Sequence, residues 1–263
     1  MLGKIRQKIR YHKFRKTWLS AAAAILILFS ISIATFQFSK TSSLSPSELV
    51  WTSYKTQKGE YKKVRLPDSS VVYLRPESHL EVAAPFVQQN RNIKLVEGEA
   101  FFDIRYNPQH PLVVEASQIT TQVLGTTFII SNYKAMDHVS VMLLTGKVAV
   151  NTKITLLGLL KPNEQLSFNK TSGKAELNTI DNDMSENWQN GEYMLNNVPM
   201  KELAFALGNT FGYEVKFGDD RLEKLHITTQ FNKKDNLIDI LEQLKLIHGL
   251  DYRIKDKEVI LMR

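Results

Sequence analysis

The sequence predicts one N-terminal transmembrane helix, an all-β domain of solenoid-like or sandwich-like build, and a C-terminal α+β module of order β-α-β-β-α-β. Three observations predict this. An uncharged apolar run, Trp18 to Phe38, follows a basic tail. From Trp51 to about Asn178 the apolar residues alternate with a period near two. After a polar stretch at 179–187 the pattern changes to amphipathic helical segments set between short strands.

The tail, residues 1–17, carries Lys4, Arg6, Lys8, Arg10, Lys13, Arg15 and Lys16 and no acid. Setting those seven aside from 34 Lys and Arg leaves 27, which equals the 27 Asp and Glu. The pI of 9.3 therefore reflects a tail and not a basic folded surface, which argues against nucleic acid as a partner. Residues 18–38 follow as the span. At about 1.5 Å per residue their helix reaches about 30 Å, the thickness of a bilayer core. Trp18 suits an interfacial anchor. A basic tail predicts a cytoplasmic N-terminus resting on anionic lipid and a C-terminal bulk exported to the periplasm. A cleaved signal peptide would have a shorter apolar region and a clear small-x-small site, and "SIATFQFSK" supplies only a weak one. Residues 39–48, "SKTSSLSPSE", are a linker without apolar periodicity. The chain has no cysteine, so disulfides and thiolate metal sites are excluded.

Residues 49–180 form the predicted all-β domain. Four phrases carry it: "VRLPDSSVVYLRPESHLEV", "RNIKLVEGEAFFDI", "TTQVLGTTFIIS" and "VSVMLLTGKVAV". Each interrupts a β-branched apolar run with a turn-forming or small residue, namely Pro67-Asp68, Gly98, Gly125 and Gly146. Pro and Asp favour a turn, and Gly within a strand marks a bulge or a close backbone approach. Residues 188–263 form the second module. Glu192–Asn196 reads as a strand and Val198–Phe211 as a helix, with Pro199 in its first turn and Gly212 as its stop. "YEVKF" and "LHITTQF" alternate as strands. Asn232 and Asp235 resemble a capping pair for a second helix, whose apolar face takes Leu237, Ile240, Leu241, Leu244, Ile247 and His248 and which stops at Gly249. "DYRIK" and "EVILM" close the chain as a hairpin.

These phrases, together with "LKPNEQLSF", "WQNGEYMLNNVPMKELAFALGNTFGYEVKF" and "LEQLKLIHGLDYRI", resemble FecR-type regulators. The likeness is to the subfamily with an additional C-terminal domain similar to the secretin/TonB short N-terminal domain. The match runs from Trp51 to the end. Two turns depart from the family pattern, with Ser69 and Asn163 where Gly is common. The resemblance implies a single-pass inner-membrane regulator. Its periplasmic part would receive the signalling domain of an outer-membrane TonB-dependent transporter, in iron or nutrient uptake, and it would control an extracytoplasmic-function sigma factor. Members with anti-sigma activity carry a helical cytoplasmic domain before the span. The 17-residue tail here is not expected to hold a sigma factor by itself. The alternative is an anchored envelope scaffold or glycan-binding module.

Nothing in the residues points to an enzyme or a cofactor. His12, His79, His110, His138, His226 and His248 show no i, i+4 pairing and no metal-ligand spacing with acids. Glu97 and Glu99 fall on one side of a strand, a pair that usually makes a solvated face. Exposed strand edges are the expected working surface, because a partner can add a strand there with little demand on side chains. The candidate strands are those of Val215 and Thr229. For topology, a periplasm-active reporter fused after Arg263 is expected to be active and one fused after Lys16 silent. The reverse pattern overturns the orientation.

Overall fold

The structure is a computed structural model describing residues 50–86, 91–180 and 184–263. The basic tail, the span at 18–38, the linker and His12 lie outside the described residues. Among the described residues no helix is long and apolar enough to cross a membrane. Leu49–Arg263 form one compact unit.

Thirteen strands make two sheets that share one strand. The first sheet runs β1 (Val50–Lys55), β4 (His79–Ala84), β5 (Arg91–Asp103), β6 (Leu112–Ala116), β7 (Ile119–Val123), β10 (Val148–Asn151) and β11 (Leu156–Leu160). The second runs β2 (Lys62–Arg65), β3 (Val71–Leu74), β5 again, β8 (Thr127–Asn132), β9 (His138–Thr145), β12 (Glu164–Asn169) and β13 (Ala175–Thr179). Within this part every pairing is antiparallel except β5 with β6. That excludes the solenoid alternative, whose coils stack parallel, and makes the domain sandwich-like. Alternation produces the core: along β9 every second residue from Val139 to Leu143 is buried. Both sheets send such residues, including Val72, Ile93, Phe102, Phe128, Val141 and Phe168, into one cluster.

β5 passes between the sheets at Gly98. Before it the strand pairs with β4 and β6, and from Gly98 on with β3 and β8. Gly98 has φ +101°, and a Cβ there would lie 2.2 Å from the Ser78 hydroxyl oxygen. Gly125 marks the other close approach, since its Cβ would lie 2.3 Å from Tyr106 Cα. Gly146, at φ +93°, turns the chain from β9 into β10.

The Pro67-Asp68 turn joins β2 to β3. Ser69 N–H donates to Leu66 O at 3.0 Å, and Ser69 takes the left-handed conformation that Gly would, at φ +70°. Asn163 does likewise at φ +69°. Asp68 holds its turn by accepting from the Ser70 N–H and hydroxyl, both at 2.9 Å. It also pairs with Arg91 at 2.8 Å. Arg91, the first residue of β5, is fully buried and donates to the carbonyls of His110 at 2.7 Å and Arg105 at 3.0 Å. One guanidinium therefore ties the β2–β3 turn to the loop between β5 and β6.

The second part begins with helix α1 (Met184–Asn190), which starts inside the stretch read as a linker. Then come β14 (Glu192–Pro199), α2 (Met200–Phe211), β15 (Glu214–Phe217), a 3-10 turn (Leu222–Lys224), β16 (His226–Asn232), α3 (Leu237–His248), β17 (Asp251–Lys255) and β18 (Glu258–Met262). The strands form an antiparallel β14–β16 pair and a β15–β18–β17 sheet, in which β15 and β18 run parallel. The two helices bury Leu203, Leu207, Ile240, Leu241 and Leu244 in a separate core.

Three local readings change. α2 begins at Met200, with Pro199 at the cap position and not inside the first turn. The cap of α3 is Asn236, whose side chain accepts from Ile238 N–H. Asn232 and Asp235 instead close the preceding turn, with Asn232 N–H donating to the Asp235 carboxylate at 2.6 Å. Ile247 is exposed at 72% and not part of the buried face. Gly212 and Gly249 both end their helices in the left-handed conformation, at φ +76° and +63°. Beyond Gly249 the chain folds back, and Leu250 joins the buried core of this module.

Arg91→Met leaves the Asp68 carboxylate without its partner. Loss of one member of a buried pair costs roughly 3–5 kcal/mol, so the urea midpoint is expected to fall accordingly. A change near zero would show that the turn does not depend on this pair.

Candidate functional site

The two cores meet at Arg75, the residue after β3. Its side chain is buried, and its Nε lies 3.0 Å from a carboxylate oxygen of Glu99 on β5. That contact is ionic, because the N–H is not aligned for a hydrogen bond. Nη2 donates to the Glu192 carbonyl at the start of β14, at 2.7 Å. The guanidinium sits 3.7 Å from the ring centre of Tyr193 and 4.6 Å from that of Trp188. Trp188 Nε1 donates to the same Glu99 oxygen at 2.6 Å, and its ring stacks on Phe101 at 5.5 Å. Strand alternation would leave Phe101 on the outer face of β5. Trp188 from α1 covers it, together with Ile129.

Further contacts widen the joint. Tyr133 meets Phe205 of α2 edge to face at 4.7 Å. The β1–β2 loop reaches α2, where Gly59 N–H donates to Asn209 O at 2.7 Å. Tyr61 and Tyr193 place their hydroxyls 3.3 Å apart, and Lys233 lies 4.4 Å from the Tyr61 ring centre. Burial works against the charge on Arg75, but Glu99 and the surrounding tyrosines outweigh it and hold the group above its ordinary range. Burial pushes the Tyr61 and Tyr133 hydroxyls up. Burial also raises Glu202 of α2, against the pull of His138 and Lys201.

The sequence-predicted residues fall elsewhere. Val215 is on β15, which pairs only with β18, and Thr229 is on β16, which pairs only with β14. Both strands therefore keep a free edge among the described residues. Val215 turns its side chain toward the core. Thr229 lines an open groove of about 950 Å³ between the β12–β13 end of the sandwich and the β14–β16 pair. Pro67, Asp68, Gly98, Gly125 and Gly146 shape the sandwich, while Gly212 and Gly249 end helices, and none lines that groove. Glu97 and Glu99 part company: Glu97 pairs with exposed Lys134 at 2.8 Å, whereas Glu99 anchors the joint. The described histidines stay scattered, and among the described residues no three His, Cys, Asp or Glu could hold a metal.

Arg75, Trp188 and Tyr193 were not singled out in the sequence. The one local signal was Trp188 itself, a large aromatic within the polar "SENWQN". Arg75→Met keeps the packed stem and removes the charge. The cation–π contacts, worth up to about 2 kcal/mol when desolvated, are lost together with the ion pair to Glu99. The variant is expected to unfold in two resolved transitions where the wild type shows one, with Trp188 emission shifted to the red. Superimposable curves would remove Arg75 from the joint.

This chain is similar to known families and structures over both parts. The model for "FecR protein" matches residues 52–149, and the model for "FecR, C-terminal" matches residues 192–261. Two crystal structures of a candidate anti-sigma factor from Parabacteroides distasonis ATCC 8503, at 2.50 and 1.65 Å, share 26% identity with it. Each covers 81% of this chain and 99% of its own, with a TM-score of 0.75. Among curated proteins no sequence matches. The two family models together span more than half of the chain, in the order found here, and the chain belongs to the FecR family.

Proposed function

We propose that this chain is an inner-membrane FecR-type regulator. The span at 18–38 holds it with the N-terminus in the cytoplasm. Residues 49–263 receive the signalling domain of a TonB-dependent outer-membrane transducer and govern an extracytoplasmic-function sigma factor. The observation that carries this reading is the family match in both parts, supported by the likeness to a candidate anti-sigma factor. No catalytic step is assigned to it. The free edges of β15 and β16 suit a partner that adds a strand. The Arg75 joint supports transmission, because a partner on the C-terminal module acts on β14, which Arg75 links to β5.

One observation favours a second reading, an anchored envelope scaffold or glycan-binding module. The groove beside Thr229 is lined largely by amides and hydroxyls, among them Gln165, Asn178, Asn196, Thr228 and Gln230. Such a lining can satisfy the hydroxyls of a sugar chain.

The full-length chain is expected to bind the purified signalling domain of the transducer encoded beside it. Val215→Pro removes an outward-facing donor of β15, whose Glu214 and Gly218 donate toward β18. Gln230→Pro does the same on β16, where Lys233 and, by alternation, Thr229 donate toward β14. Either is expected to weaken binding about tenfold, a loss of about 1.4 kcal/mol. Circular dichroism separates this from unfolding. Capture of the neighbouring sigma factor by the full-length chain completes the reading. No transducer binding, with retention on envelope polysaccharide, favours the second.

A further inference from the structure

We propose that strand β11 is a second docking edge, distinct from the C-terminal module, and that it takes an extended acidic segment of another protein with apolar side chains at alternate positions. Among the described strands, those paired on one side only are β1, β2, β11, β13, β14, β15, β16 and β17. All but β11 carry a charged or titratable side chain or a proline within the strand, the usual means of blunting an edge. β11 reads Leu-Leu-Gly-Leu-Leu. β13, at the other end of the same strand order, also exposes a leucine, Leu177, but sets it between Glu176 and Asn178.

The side of β11 away from β10 makes no hydrogen bond to another segment among the described residues. Its outward side chains are unusually apolar, with Leu159 exposed at 69% and Leu156 at 52%. Ile154, at the tip of the β10–β11 hairpin, is exposed at 93%. Beside the end of β11 lies an open cavity of about 450 Å³. Leu124, Ala149 and Leu159 form its apolar wall, and Lys147 and Lys161 flank it. A strand added along β11 would set one of its alternate side chains beside this cavity.

Charge selects the occupant. Residues 146–163 carry Lys147, Lys153 and Lys161 and no acid. A second copy pairing through the same edge would bring like charges together, which is unfavourable across strands. Lipid would meet the lysines and leucines but leave the outward backbone donors and acceptors unpaired, which is costly in an apolar phase. An acidic, alternating strand satisfies the leucines, the lysines and the backbone at once.

The test uses the full chain in phosphatidylcholine nanodiscs and a short fluorescein-labelled peptide alternating valine and glutamate, read by anisotropy. A peptide alternating valine and lysine is the control. The acidic peptide is expected to bind about tenfold tighter or more, equivalent to about 1.4 kcal/mol. Leu159→Glu, at an exposed position that leaves the fold intact by circular dichroism, is expected to abolish that preference. The pair Lys147→Glu with Lys161→Glu is expected to reverse it. Equal binding of both peptides, or binding indifferent to all three substitutions, overturns the proposal. So does a chain dimer lost in Leu159→Glu without peptide binding, which assigns the edge to a second copy. Edge protection by phosphatidylglycerol nanodiscs alone, without peptide binding, assigns it to lipid and overturns it equally.

Discussion

The arrangement of this protein depends on a single buried guanidinium. Arg75 leaves β3, pairs with Glu99 of β5, and reaches the first carbonyl of β14 while lying between Trp188 and Tyr193. A lysine could not replace it, because the flat fork both stacks on rings and donates along its edge. Each core closes on its own, one from the sandwich and one from the α+β module. The link between them is directional: an ion pair, an indole N–H on the same carboxylate, and stacked rings. Buried charge adds little net stability over well-packed apolar groups, but it penalises every arrangement in which the partners are separated. The joint is therefore better suited to fixing one orientation than to strengthening the fold.

β5 makes that joint possible. It carries Arg91 at its start, Gly98 at the crossing and Glu99 with Phe101 just beyond. Two arginines do comparable work along the strand, Arg91 at its start and Arg75, from the end of β3, where it meets Glu99. Arg91 ties a turn and a loop of the sandwich to each other, and Arg75 ties the sandwich to the α+β module. Gly98 connects them, since its missing side chain lets Ser78 approach. The Ser78 hydroxyl then accepts from Glu99 N–H at 3.0 Å and fixes the residue that Arg75 needs.

Much of this was legible in local sequence. Period two marked the strands, Pro67-Asp68 and the glycines marked turns and close approaches, and Gly212 and Gly249 marked helix ends. Those signals lie within a few residues of the features they control. The exceptions have physical reasons. Ile247 fits the helical periodicity of α3 yet is exposed, while Leu250, just past the left-handed Gly249, is buried. Phe101 should be outward, and Trp188, 87 positions further along the chain by its numbering, covers it. Asp68 reads as a turn former, and the turn chemistry does not disclose Arg91. Contacts between distant segments set these outcomes, and one sequence shows no sign of which segments will meet.

The same limit explains why strand edges, and not side-chain constellations, are the candidate surfaces. Recognition through a free edge uses backbone donors and acceptors that every sequence has. The sequence does supply the treatment of each edge. β15 carries Glu214 and Lys216, and Lys216 pairs both with Glu214 and with Glu258 across the parallel β18. A strand arriving at that edge meets one ammonium shared by two carboxylates, a local excess of negative charge that disfavours an acidic strand. β11 offers leucine instead, flanked by Lys147 and Lys161. The two edges therefore differ in chemistry, and a strand whose side chains suit one is disfavoured at the other.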